Sequence, residues 1–177
     1  MILESIASEY KRYKFMAETA IRQTEERCLN LPIGEEHNSI VTLVWHISGN
    51  LKSRFTDFLQ ADGEKPWRQR DTEFADRTVD RDELMRKWDE GWAILLDTLS
   101  TLVDEDLTKE IHIRNQPLSV MEALHRSLAH TAFHIGEIVY IAKVHAGNRW
   151  QTLSIPLGQS ETYNLQPTRE KLPESPR

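Results

Sequence analysis

The chain has 177 residues, a length typical of one domain, and 39% of its residues are hydrophobic, which is enough for one core. Its formal net charge of −6 argues against a nucleic-acid partner, which requires a basic face. The single cysteine, Cys28, excludes an internal disulfide and a cysteine-built zinc cluster, so a metal site here must use nitrogen and oxygen ligands.

The amino terminus does not resemble a signal peptide, because it carries Glu4 and Glu9 and has no long apolar run before a small-residue cleavage site. No segment approaches the roughly 18 consecutive apolar residues that indicate a membrane-spanning helix. We therefore expect a cytoplasmic protein with no membrane partner.

Apolar residues at steps of three and four predict two helices in the first third of the chain. The first runs from about Ile2 to Cys28 and is stopped by the proline- and glycine-bearing residues 30–34. The second begins near Ser39 and ends in residues 61–63. The charged stretch that follows has neither helical nor strand periodicity and is predicted to be a long loop.

A third helix is predicted to begin at Asp80, which can cap it together with Glu83. Its buried face is expected to consist of large apolar side chains at helical spacing: Leu84, Trp88, Trp92, Leu95, Leu99 and Leu102. Polar and apolar residues alternate over residues 109–114, which predicts a short strand or hairpin arm.

A fourth helix is predicted to begin at the capping box of Ser119 and Glu122 and to end at Gly147. The chain from Asn148 onward is rich in proline and is expected to be irregular, with disorder from about Gln166. Together the four helices predict an all-α four-helix bundle with a short β element before the last helix. We expect this domain to cover residues 1–163, followed by an irregular tail over residues 164–177.

Two histidines, His130 and His134, lie four residues apart in the fourth predicted helix. This spacing leaves them about 40° apart around the helix axis and about 6 Å apart along it, so both can face one ion. His46, on the second predicted helix, would complete three ligands and leave a coordination position open. The simpler alternative is a chance pair, since seven histidines give such spacings without any metal.

Two polar residues near these histidines are candidates for supporting roles. Glu137, three residues after His134, is either a hydrogen-bond acceptor for a ligand, an acid–base group, or an ordinary solvated glutamate. Asn50 can orient His46 or a bound water, with the same alternative of a plain surface residue.

Other histidine patterns point elsewhere. Only one Glu-x-x-His pair, Glu122 and His125, is present, which is too few for a di-iron carboxylate bundle, and the His-Glu-x-x-His motif of zinc proteases is absent. His37, His112 and His145 lie near loops or predicted helix ends and are interpreted as bystanders.

The predicted loop after the second helix contains Trp67, Arg68 and Arg70. Arginines beside an aromatic residue can hold the carboxylate or phosphate of a cofactor. Alternatively they form salt bridges with the acidic residues of the same loop, Glu64, Asp71 and Glu73, or pack against a second subunit.

The chain resembles the DinB/YfiT-like superfamily of metalloenzymes. The resemblance lies in residues 44–51 (VWHISGNL) and 130–137 (HTAFHIGE), and it covers roughly residues 1–163. Residues 62–68, 114–119 and 150–156 are similar to one branch of that superfamily without an assigned function.

The resemblance implies a four-helix bundle with up-down-down-up topology, in which His46, His130 and His134 bind zinc or nickel, and it implies a homodimer. Similar proteins include thiol-dependent transferases and isomerases that use mycothiol, bacillithiol or glutathione. Their thiol-binding residues have no matching motif in this chain.

Two functions follow as expectations. The first is a metal-dependent enzyme, a thiol-dependent S-transferase or related hydrolase. For thiol transfer, Arg68 or Arg70 is expected to bind the thiol's carboxylate, and for hydrolysis Glu137 is the candidate proton carrier. The second is a non-catalytic dimeric metal-binding protein that serves in stress response or metal handling. An open coordination position in a roomy pocket favours the first, and a fourth protein ligand favours the second.

Overall fold

A computed structural model describes residues 2–35 and 38–168, and this part of the chain is mostly helical with one small sheet. Its α-helices in chain order are α1 (Ile2–Gln23), α2 (Glu26–Leu29), α3 (Ile40–Phe55), α4 (Arg81–Thr101), α5 (Val120–Ala146) and α6 (Ser160–Asn164). The sheet pairs β1 (Glu110–Ile113) with β2 (Gln116–Ser119). Within residues 2–35 and 38–168 no helix has both the length and the apolar character needed to span a membrane.

The four long helices pack in pairs around one apolar core. Helix α3 lies against α4, α1 lies against α5, and α3 also contacts α5. The crossing of α3 and α4 depends on Gly91, because a Cβ atom there would lie 2.7 Å from the Cα of Ser48. The six residues predicted for the buried face of α4 are all buried, with Trp88 and Trp92 fully so.

The predicted helix starts are confirmed by their caps. The side-chain oxygen of Ser39 accepts from the amide of Thr42, and that of Asp80 accepts from the amide of Glu83. Ser119 and Glu122 form the full capping box at the start of α5. These contacts satisfy amides that a helix start leaves without intrahelical partners.

Helix α1 ends five residues earlier than predicted, at Gln23 rather than Cys28. The side chain of Arg81, from the start of α4, donates to the carbonyls of Ile21 and Thr24 at 2.7 and 2.6 Å. A tertiary contact therefore satisfies the last carbonyls of α1, and a separate short helix, α2, follows.

Helix α3 also ends earlier than predicted, at Phe55, because Thr56 is extended and Asp57 adopts a positive φ of 49°. The loop that follows contains a 3-10 helix, Arg70–Phe74, that the sequence pattern did not predict. The chain after Asn148 includes α6 where only irregular structure was predicted. The end of the predicted disordered tail, residues 169–177, lies outside the described residues.

The two strands form the predicted hairpin, with Ile111 opposite Leu118 and Ile113 opposite Gln116. Its two turn residues, Arg114 and Asn115, have φ values of 56° and 59°, the left-handed conformation that tight hairpin turns require. The hairpin is fastened to the segment after α3, since the carboxylate of Asp62 accepts from both turn amides at 2.8 and 2.7 Å.

Candidate metal centre

Helices α3 and α5 bring together the three histidines singled out in the sequence. His46 lies on α3, and His130 and His134 lie one turn apart on α5. One ring nitrogen from each histidine lies within 4.8 Å of the others, a grouping that can hold a metal ion. The ring centroids are 4.6 to 5.1 Å apart.

Nε2 of His46 and Nε2 of His130 lie 3.1 Å apart. Two imidazole nitrogens bound to one tetrahedral zinc, each at about 2.1 Å, lie about 3.4 Å apart. The observed separation therefore suits either two ligands of one cation or a hydrogen bond in which one ring donates to the other. A donor set of imidazole nitrogens suits zinc, copper, iron and nickel.

His46 is held from behind by Glu73, in the 3-10 helix Arg70–Phe74. The Nδ1 atom of His46 lies 2.8 Å from Oε2 of Glu73. The guanidinium of Arg68 in turn donates to both oxygens of Glu73, at 2.8 and 3.0 Å. With its Nδ1–H donated to a carboxylate, a neutral His46 keeps its lone pair on Nε2, the nitrogen that faces the other histidines.

The carboxylate of Glu73 reaches His46 across Gly49 of α3. A Cβ atom on Gly49 would lie 2.3 Å from Oε1 of Glu73, well inside van der Waals contact. A glycine at this position therefore makes room for the ion pair of Glu73 and Arg68. Sequence reasoning named Glu73 only as one of three acids that could pair with the loop arginines, and it did not connect Gly49 with the site.

His134 is held in the same way by Glu137, whose Oε2 lies 2.6 Å from Nδ1 of His134. Of the alternatives considered for Glu137, the hydrogen-bond acceptor describes its position, and the purely solvated glutamate does not. Asn50 lines the cleft beside the histidines, as does the side chain of Arg70.

The two histidines of α5 have lowered pKa values, which favour the neutral form that binds metals. Burial, together with the neighbouring His134 and His46, lowers the pKa of His130 from 6.5 to about 4. Burial also lowers the pKa of His134, although Glu137 acts in the opposite direction. Burial raises the pKa of Glu73, but the hydrogen bonds from His46 and Arg68 outweigh it and leave that pKa below 4.5.

A cleft of about 490 Å³ opens in front of the three histidines. Its walls come from α3, the loop after α3, the β1–β2 hairpin and α5. Arg68 and Arg70 both line it, but Arg68 already donates to Glu73, the salt-bridge alternative considered from the sequence. Trp67 does not line this cleft, and its side chain is half exposed.

Three further arginines of the cleft were missed by sequence reasoning: Arg54, Arg114 and Arg126. A signal for the last was present, since Arg126 precedes His130 by four residues and so shares its face of α5. Among the predicted bystanders, His112 is exposed and His145 contacts the carbonyl of Leu31, and His125 of the rejected Glu-x-x-His pair is exposed as well. His37 lies outside the described residues.

Comparison with known proteins identifies the family of this chain. No curated protein matches the chain, and no solved structure does. A family described as "Protein of unknown function (DUF1572)" matches residues 1–159, nearly the whole chain. The chain therefore belongs to the DUF1572 family.

Proposed function

We propose that this chain is a divalent-metal protein in which His46, His130 and His134 hold zinc or nickel at an open centre, and that it is a metal-dependent enzyme. One observation carries the proposal: the three imidazoles converge at the end of a roomy cleft. Among the described residues, no Cys, Asp or Glu joins that cluster as a fourth ligand. Three ligands with a vacancy are typical of catalytic rather than structural sites.

Two carboxylates support the assignment of the ligands. Histidines that bind metals commonly donate their other ring N–H to a carboxylate, which fixes the tautomer and the ring orientation. Glu73 and Glu137 occupy these positions for His46 and His134. If His46 and His134 had no metal role, their Nδ1 atoms would not both require a carboxylate partner.

For the reaction we propose thiol-dependent S-transfer or a related hydrolysis, with a low-molecular-weight thiol as the candidate cofactor. A bound divalent metal supplies Lewis acidity, which makes a nucleophile available near neutral pH. Glu73 and Glu137 then orient the histidine ligands, and the residues that line the cleft bind the substrate. Glu137 is the candidate proton carrier, because its carboxylate is partly exposed beside the site.

We infer that α1, α3, α4 and α5 form a four-helix bundle of DinB-like up-down-down-up topology within a domain of residues 1–163. The pairing of α1 with α5 and of α3 with α4, with α3 also touching α5, supports this architecture. The resemblance of residues 44–51 and 130–137 to the DinB/YfiT-like superfamily points the same way.

The homodimer also belongs to the proposal. Helix α5 exposes Phe133, Tyr140 and Val144 on one face. Between them lies Gly136, where an added Cβ would meet nothing within 4 Å. A flat apolar face of this kind suits a second copy of the helix, and analytical ultracentrifugation of the purified chain tests it.

The central test is metal analysis of the purified protein and of two double variants. We expect about one equivalent of zinc or nickel in the wild type and none in His130→Ala/His134→Ala. The matched control, His112→Ala/His125→Ala, removes two exposed histidines outside the site and is expected to keep its metal. Retention of metal by the first variant would refute the ligand assignment.

A second measurement separates the enzyme from a non-catalytic metal-binding protein. The metal-loaded chain is screened for turnover with mycothiol, bacillithiol and glutathione against a generic electrophile, and with simple esters and amides. Metal-dependent turnover that is absent in His130→Ala/His134→Ala supports the enzyme. Metal binding without any turnover would favour the role in stress response or metal handling.

A further inference from the structure

The charge of the cleft differs from that of the whole molecule. The chain carries a net charge of −6, yet five arginines and no acidic residue line the cleft. Low-dielectric walls that carry one sign of charge concentrate ligands of the opposite sign. Whether each arginine can bind an anionic ligand depends on whether it already has a carboxylate partner.

Three of the five arginines are paired. Arg68 makes its two hydrogen bonds to Glu73. Arg54 and Arg114 share Glu64, whose Oε2 lies 3.1 Å from Nη1 of Arg54 and 2.9 Å from Nε of Arg114. These guanidiniums are therefore occupied in holding the loop and the hairpin in place.

The remaining two arginines are available to a ligand. Arg126 has no ion-pair partner in residues 2–35 and 38–168. Among the described residues, Arg70 forms an ion pair only with Asp71, its sequence neighbour, at 3.4 Å, and the Asp71 side chain is 99% exposed to solvent. An exposed pair of this kind is worth little, so Arg70 retains its capacity to bind an anion.

Both available arginines line the same cleft as the three histidines. The guanidinium carbon of Arg70 lies 5.0 Å from the centre of the Phe74 ring, and that ring lies 4.8 Å from the ring of His46. Arg126 stands one helical turn before His130 on α5. The two arginines therefore belong to different walls of the cleft. The Phe74 ring separates Arg70 from His46, and one helical turn separates Arg126 from His130.

Half of the other lining residues are apolar. They include Phe55 at the end of α3, Phe58 in the loop that follows it, and Leu118 from β2. A ligand that matches these walls carries an anionic oxygen group and an apolar body. Guanidinium groups bind both carboxylates and phosphates in two-pronged geometry, so the shared chemistry is an oxyanion.

We propose that the cleft selects an organic anion, a carboxylate or a phosphate ester, whose charged group is bound by Arg70 and Arg126 while its apolar part lies against Phe55, Phe58 and Leu118. The inference rests on the proposed function in one respect, namely that the reactive end of the same molecule faces the three histidines. Binding of the anion itself requires no metal. It can therefore be measured separately.

The test uses the full chain stripped of metal with a chelator, at about pH 8, by isothermal titration calorimetry. The probes are phenyl phosphate, phenylacetate and, as the uncharged match, benzyl alcohol. We expect one or both anions to bind at least about 10-fold more tightly than the alcohol, because hydrogen bonds between charged groups are roughly twice as strong as those between neutral groups. The preferred anion identifies the substrate as a phosphate ester or a carboxylate.

The decisive variant is Arg70→Gln/Arg126→Gln, for which we expect at least a 10-fold loss of affinity for the preferred anion. Arg86→Gln is the matched control, because Arg86 is an exposed helical arginine of α4 outside the cleft, and it should bind as the wild type does. Circular dichroism checks that each variant is folded.

Equal affinity of the double arginine variant and the wild type would overturn the proposal. Binding of benzyl alcohol as tight as that of the anions would also overturn it, as would no detectable binding of either anion to the wild type. Since the titration omits metal, these outcomes are independent of whether His130→Ala/His134→Ala loses its metal. Failure of one proposal can thus be distinguished from failure of the other.

Discussion

The two sides of the histidine cluster are built by different means. On the α3 side, the His46 and Glu73 side chains are 5% and 9% exposed, and the two residues are 27 positions apart in the chain. On the α5 side, the His134 and Glu137 side chains are 14% and 38% exposed and only three positions apart. One imidazole is thus oriented by tertiary structure and the other by helical spacing alone.

This difference determines how each side should respond to substitution. The α3 side includes a buried ion pair, since the Arg68 side chain is only 3% exposed. Loss of one partner there affects folding as well as the orientation of His46. On the α5 side, water can replace a lost acceptor, so the effect should be confined to the site.

The largest effect is expected from Glu73→Gln. The substitution leaves the Arg68 guanidinium buried without an anion, which costs on the order of 3 kcal/mol of unfolding free energy. It also removes the carboxylate behind His46, so metal affinity should fall roughly 10- to 100-fold. Urea unfolding of the metal-free chain and a competition titration with a chelating dye measure the two quantities.

A double variant separates these two effects. Arg68→Met/Glu73→Leu removes both charges and should recover much of the unfolding free energy, because apolar residues can replace a buried ion pair. Metal affinity should remain low, since His46 still lacks its acceptor. Full recovery of metal affinity in this variant would show that Glu73 does not orient His46.

The next largest effect is expected from Gly49→Ala. The new methyl group would overlap Oε1 of Glu73, and the carboxylate must move away from His46 and Arg68 to relieve the contact. Metal affinity should fall by roughly 10-fold, as for the loss of an outer hydrogen bond to a ligand. The dye competition titration measures it.

Gly136→Ala is the matched control for that substitution, because an added Cβ at this position meets nothing within 4 Å. It should leave metal affinity unchanged and, at concentrations where the chain is a monomer, stabilise α5 by about 0.5–1 kcal/mol, the usual gain for alanine over glycine within a helix. Identical metal affinities for the two glycine variants would show that Gly49 does not affect the metal site.

A smaller effect on binding is expected from Glu137→Gln. The glutamine carbonyl can still accept from Nδ1 of His134, and the position is partly open to water, so metal affinity should fall by less than about 10-fold. If Glu137 is also the proton carrier, turnover should fall far more than affinity. Parallel losses of kcat and affinity would leave Glu137 with an orienting role only.

The smallest effect is expected from pH. The folded-state pKa of His130 is about 4, below its ordinary 6.5, so the unfolded chain binds more protons between these values. Metal-free stability should therefore fall as the pH drops below 6.5. The interval from 6.5 to 4.5 isolates the histidines, because Glu73 contributes only below its ordinary value of 4.5.

Thermal unfolding of the chelator-treated chain across that interval measures the change. His130→Asn should flatten the dependence, because a side chain that does not titrate replaces the imidazole. A wild-type chain whose melting temperature is constant from pH 6.5 to 4.5 would contradict the shifted pKa of His130. The change should be modest because His130 is only partly buried.

Local signals in the sequence were sufficient for much of this architecture. Asp80 and Ser119 each cap the helix that their capping pattern predicted, and Ser39 caps the helix whose start periodicity placed near it. The pairing of His134 with Glu137 follows from the same kind of local geometry, although the sequence offered it only as one of three alternatives. The sequence thus identified both candidate ligands of α5 but not Arg126 on the same helix.

Features that depend on distant contacts could not be predicted. Nothing local indicates that Arg81 caps α1, or that Glu73 rather than Glu64 or Asp71 reaches Arg68 and His46. The role of Gly49 is visible only when the loop lies on α3. The periodicity of apolar residues predicts which face of a helix is buried, but it does not predict which loop covers that face.

The position of Asp62 has a consequence for how specificity can diverge. Its carboxylate joins the hairpin turn to the loop after α3, so this wall of the cleft is fastened at the turn as well as at Ser119, where β2 leads into α5. A side chain of the strands that lines the cleft, such as Leu118, can therefore be exchanged while Asp62 and the Ser119 cap keep the hairpin in place. Paralogues with an identical trio of histidines can in this way act on unrelated molecules.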